Sequence, residues 1–144
     1  MELNFAQKEN LQKIEIIKEA YPLYIKQLLG NRGVKIQEDI DARRVVDWSA
    51  LMHFNYPLTS QEELDYFNSV LSRVNFPMND SVIMEFGYNW PISKLPIKLF
   101  VEQWERFVQA ANYESVIIGS NFIMEFGKIP EMMVSSTINL EESA

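Results

Sequence analysis

The chain has no cysteine, one histidine and only five glycines. Without cysteine there can be no disulfide framework, no thiol nucleophile and no zinc site built on sulfur. His53 alone cannot form a multi-histidine metal site. A serine triad would have to use it as its base, yet no glycine-flanked serine elbow occurs, so its expected role is structural. The few glycines form neither a phosphate-cradling loop nor a dinucleotide fingerprint. No stretch approaches the roughly eighteen apolar residues of a membrane span, and "MELNFAQKEN" lacks a basic start followed by an apolar run. A cytoplasmic protein without membrane contact is the simplest expectation.

Positive charge is scarce in one part of the chain. The formal charge is −7, but residues 1–50 hold eight basic and eight acidic side chains while the remainder holds five and twelve. No lysine or arginine stands between Arg44 and Arg73, where Asp47, Glu62, Glu63 and Asp65 occur. Such a surface repels phosphate backbones, which disfavours direct nucleic-acid binding, and suits a basic protein partner.

What is present is enough for one folded unit. A chain of 144 residues, 47% of them hydrophobic, can bury a core without cross-links. No low-complexity linker divides it, so residues 1–144 are read as a single domain. Leu11, Ile14, Ile17, Tyr21, Tyr24, Ile25 and Leu28 recur at helical spacing and predict a helix from about Phe5 to Leu29, kinked or split at Pro22 and stopped by "GNRG". "DIDARRVVDWSALMHF" predicts a second helix, with Asp39 or Asp41 as cap. "LTSQEELDYFNSVLSRV" predicts a third, because Ser60 and Glu63 have the spacing of a capping box.

After Pro77 the pattern changes. "SVIMEFGY" reads as a strand, "LPIKLFVEQWERFVQAANY" as a helix, and "ESVIIGSNFIMEFGK" as two strands joined at Gly119-Ser120-Asn121. "PEMMVSSTI" is a candidate further strand, and residues 139–144 a frayed tail. The expected fold is α+β: helices over about 1–75, then a β-α-β-β unit over about 80–138, its small antiparallel or mixed sheet covered by helices on one face.

Ile-Met-Glu-Phe-Gly occurs twice, at 83–87 and 123–127. Side chains alternate along a strand, so Ile, Glu and Gly share one face while Met and Phe share the other. Glu85 and Glu125 therefore form a carboxylate pair able to share a proton or bind a hard cation, or both face solvent on the open side of the sheet. The solvent-facing reading is preferred, because no further acid, histidine or glycine loop accompanies either one. The repeat is read as convergent strand chemistry, with duplication as the alternative.

Two features suit a protein partner. The "YNWP" loop offers Tyr88 and Trp90, large rings that pack at small entropic cost, with Trp90 folding back onto the core as the alternative. The third helix offers Glu62, Glu63 and Asp65.

With its "WP" loop, its helix "FVEQWERF" and its hairpin "ESVIIGSNFIMEFG", the acidic cysteine-free chain resembles bacterial immunity proteins of polymorphic and contact-dependent inhibition toxin systems, mainly over residues 80–128. The resemblance implies a non-catalytic inhibitor that covers the active site or substrate path of a basic, nuclease-like toxin, with no cofactor. The alternatives are a small metal-dependent hydrolase using Glu85 and Glu125, and a phage or host regulatory inhibitor subunit.

Overall fold

A computed structural model describes residues 2–18, 22–38, 44–86, 90–127 and 130–136. In chain order its elements are α1 (Phe5–Glu9), β1 (Glu15–Lys18), α2 (Pro22–Asn31), a short 3-10 turn (Trp48–Ala50), β2 (Phe54–Pro57), α3 (Gln61–Arg73), β3 (Ser81–Glu85), β4 (Ile92–Pro96), α4 (Ile97–Ala110), β5 (Ser115–Ile118), β6 (Phe122–Gly127) and β7 (Glu131–Ser136). The fold is mixed α+β, as expected. The sheet is larger than expected, with seven strands among the described residues in the order β1-β4-β3-β5-β6-β7-β2, every neighbouring pair antiparallel. Among the described residues no helix is long and apolar enough to cross a membrane.

The C-terminal half follows its sequence pattern. Ser60 accepts from the Glu63 N–H at 3.1 Å and the Glu63 carboxylate accepts from the Ser60 N–H at 3.0 Å, which is the expected capping box at the start of α3. The β5–β6 hairpin turns at Gly119, where a Cβ would lie 2.3 Å from the Phe122 ring, so only glycine fits. The strand expected within "PEMMVSSTI" is β7. "ISKLP" forms β4, a strand the pattern did not predict, and α4 begins after it at Ile97.

The N-terminal half departs from the expected run of helices, because it supplies both edge strands. The helix predicted over residues 5–29 is three elements. Asn10 ends α1 by bonding its side-chain amide to the Ala6 carbonyl at 2.9 Å, and the β-branched Ile16 then pairs opposite Ser93 on β4. The chain turns helical again in α2, which ends in a Schellman motif: Gly33 at φ 73°, its N–H on the Gly30 carbonyl, the Val34 N–H on the Leu29 carbonyl, both at 3.0 Å. Of the second predicted helix, the described residues from Arg44 on are instead a short turn at Trp48 followed by β2, since the backbone N–H groups of Val45 and Val46 are used by Glu125 rather than by helix carbonyls. The proposed caps Asp39 and Asp41 lie outside the described residues, as do residues 139–144 of the tail.

Helices cover both faces of the sheet, not one. Met84, Phe86, Ile117, Met124, Phe126, Met132 and Val134 meet α1, α3 and α4 in the larger core. There Phe67 packs edge-on to Trp104, with ring centroids 5.0 Å apart, and against Tyr56 at 5.2 Å. On the opposite face Val116, Ile118, Ile123 and Met133 pack against Ile25 and Leu29 of α2 and against Val46 and Trp48. A buried polar link ties the N-terminus to the sheet: the Gln7 side chain donates to the Pro91 carbonyl at 2.8 Å and to Ser93 Oγ at 2.9 Å.

Candidate functional site

The Ile-Met-Glu of the two copies lies in two central strands, β3 and β6, which flank β5. Met84 and Phe86, like Met124 and Phe126, enter the larger core. The two glutamates share the other face. Register places Glu85 opposite Val116 and Val116 opposite Glu125, so the carboxylates belong to one row across three strands, their backbones roughly 9.5 Å apart at the usual strand spacing. They do not face solvent as preferred from sequence: Glu85 is 8% exposed and Glu125 3%, because α2 and the 44–51 segment close that face.

Their environments differ. Glu125 accepts from the Val45 N–H at 2.7 Å, the Val46 N–H at 3.2 Å and the Trp48 indole at 2.9 Å. Three donors on one carboxylate stabilise its ionised form. Burial nevertheless leaves its pKa above the ordinary value, the donors and Arg44 offsetting only part of the cost. Glu85 has a buried oxygen, Oε2, with no hydrogen-bond partner among the described residues. Burial first, and then the charge of Glu125, push the Glu85 carboxyl up to about 7 despite the opposing pull of Lys26. Glu125 clamps the 44–51 segment through its three donors, while Glu85, without such donors, changes charge close to neutral pH. Among the described residues no group of three or more His, Cys, Asp or Glu converges as a metal-ligand set.

The acidic residues of α3 stand elsewhere, beside the outermost strand. Asn55, Tyr56 and Pro57 of β2 and Glu62, Glu63 and Tyr66 of α3 line an open groove of about 280 Å³. Tyr66 is 48% exposed, its ring centroid 6.2 Å from that of Tyr56. Glu62 and Asp65 are exposed. Glu63 is committed to the cap: Thr59 Oγ1 donates to it at 2.6 Å and the Thr59 N–H at 2.9 Å, and these bonds hold its pKa below the usual carboxylate range.

Of the aromatic anchors read from the sequence, Tyr88 lies outside the described residues. Trp90 is half-buried and packed against the larger core just before β4. Five strand spacings, roughly 24 Å, separate β4 from β2, so Trp90 and the acids of α3 do not form one small patch. His53 is exposed, with Nδ1 2.8 Å from the Leu51 carbonyl and its ring 5.2 Å from that of Trp48. Sequence reasoning missed Tyr66 and the β2 edge, because the segment feeding β2 carries a helical spacing. It also missed Val45, Val46 and Trp48 as donors to Glu125. The one signal for their role was that Ile83 and Ile123 share a face with the glutamates, marking it as apolar.

Compared with known protein families and with curated proteins, the chain matches no family model and no curated sequence.

Proposed function

We propose that this protein is a non-catalytic inhibitor that binds a basic protein partner through the groove between β2 and α3, acting as an immunity protein against a bacterial toxin domain. The observation that carries the reading is the composition of that groove. The exposed Tyr66, the acids Glu62 and Glu63 and a sheet edge meet there, with the exposed Asp65 on the same helix, in a stretch without lysine or arginine from Val45 to Ser72. Aromatic rings in a partly desolvated setting supply holding energy, while rim acids speed encounter with a cationic surface. Trp90 contributes through the core it packs against, and Tyr88 remains a proposed anchor.

The metal-dependent hydrolase reading has one observation in its favour, the unpartnered oxygen of Glu85. Against it, both oxygens of Glu125 already accept protein donors and the row is closed by α2 and Trp48. A phage or host inhibitor subunit would use the same groove, and gene neighbourhood separates it from immunity.

The test is functional. The partner recovered from the native host should form a stoichiometric complex and lose its own activity in it. Glu62→Lys with Asp65→Lys should relieve that inhibition. A full-strength inhibitor carrying both reversals would refute the groove as the binding surface.

A further inference from the structure

We propose that the outer edge of β2, walled by α3, takes an extended lysine- or arginine-bearing segment of the partner as an eighth strand. This rests on the acidic-groove reading above and adds the backbone chemistry of docking. The Leu58 N–H donates to the Pro130 carbonyl at 2.7 Å. With the register Phe54↔Val134 through Pro57↔Glu131, that bond makes Phe54 and Tyr56 the residues that exchange ladder bonds with β7. In an antiparallel pair the intervening residues turn their N–H and C=O groups the other way. Asn55 therefore presents both groups, and Pro57 its carbonyl, on the side away from β7. The strand order ends at β2, and Asn55 and Pro57 are exposed. The other edge strand is less suitable: β1 shifts register between Ile16 and Lys18, which interrupts a regular ladder.

The helix makes this edge a slot. Tyr66 stands over Tyr56 on α3, and Glu62 and Glu63 complete the wall. A segment laid along β2 pairs its backbone with Asn55, turns alternate side chains toward Tyr66, and brings cationic side chains to Glu62 and into the field of Asp65 farther along the same helix. Pro57 donates nothing, so the ladder is short, and the tyrosine contact and charge must supply the rest. A second copy of this chain is disfavoured as occupant because it would bring the same acids to the same edge.

The probe is a synthetic peptide of about six residues alternating valine and lysine, about the length of one strand, with a valine–glutamate peptide as charge control. At low salt the lysine peptide should bind, the glutamate peptide should not, and amide hydrogen exchange at Asn55 should slow. Asn55→Pro deletes the outward N–H, which the β2–β7 ladder does not use, together with the side chain that bonds Glu131, a loss that Asn55→Ala shares. It should weaken peptide binding by about tenfold, the scale of one lost hydrogen bond, while Asn55→Ala stays close to wild type. If Asn55→Pro fails to fold, the exchange measurement on the unmodified protein decides. Binding with unchanged Asn55 exchange, or no binding at low salt, overturns strand addition. Binding that Glu62→Lys with Asp65→Lys abolishes but Asn55→Pro leaves intact refutes strand addition and leaves the acidic-surface reading standing. Binding insensitive to both sets refutes both.

Discussion

Glu85 and Glu125 lie on one face of the sheet, each opposite Val116 on the strand between them, and three hydrogen-bond donors converge on Glu125 while Oε2 of Glu85 has no partner among the described residues. This asymmetry makes stability depend on pH. Glu85 has an ordinary carboxyl pKa when unfolded and one of about 7 when folded. Between those values the folded state binds more protons, so stability is full below the unfolded pKa and falls as pH rises toward 7. The loss approaches about 3 kcal/mol above pH 7. Glu85→Gln should flatten the profile and raise stability at pH 8, read from urea melts across pH. A variant less stable than wild type at pH 8 would show that the ionised carboxylate is satisfied after all.

Glu125 holds the 44–51 segment on the second face. Glu125→Ala leaves the Val45 and Val46 N–H groups and the Trp48 indole without their acceptor, a cost of about 3 kcal/mol or more. Hydrogen exchange should accelerate at Val45 and Val46. Protection there equal to wild type would mean that packing of Val46 and Trp48, not the carboxylate, fastens the segment.

Gln7 joins the N-terminal helix to β4. Gln7→Ala removes two buried hydrogen bonds and leaves the Pro91 carbonyl without this donor, so a loss of about 1–3 kcal/mol is expected in chemical denaturation. A change below about 0.5 kcal/mol, the size of an ordinary surface substitution, would show that the link is dispensable.

The hydrolase alternative makes an opposite claim about the carboxylate row. If the inhibitor reading is right, adding magnesium or calcium should leave the melting temperature unchanged. A rise that Glu85→Gln abolishes would move the chemistry to Glu85 and Glu125.

Local signals were legible in the sequence. The capping box of Ser60 and Glu63, the turn at Gly119 and the alternation of Met124 and Phe126 against Ile123 and Glu125 each depend on residues close in the chain. What was hidden depends on partners far away. Ile14, Ile16 and Ile17 fit a helix as well as a strand until β4 is there to pair with, and the β2 segment becomes a strand only beside β7. Whether Glu85 and Glu125 are wet or buried was decided by α2 and Trp48, which no periodicity within either strand encodes. Tyr66 reads as one more position on an amphipathic helix until the sheet edge beside it is known.

The decisive measurement is the association rate of the protein with the partner recovered from its native host, followed by stopped flow across a salt series for wild type and for the Glu62→Lys, Asp65→Lys variant. The expected result is slower association of the variant by about tenfold or more at low ionic strength, with the two rates converging as salt screens the charges. Equal rates at every salt concentration, or an isolated monomer that turns over a substrate and binds no protein, would contradict the inhibitor reading.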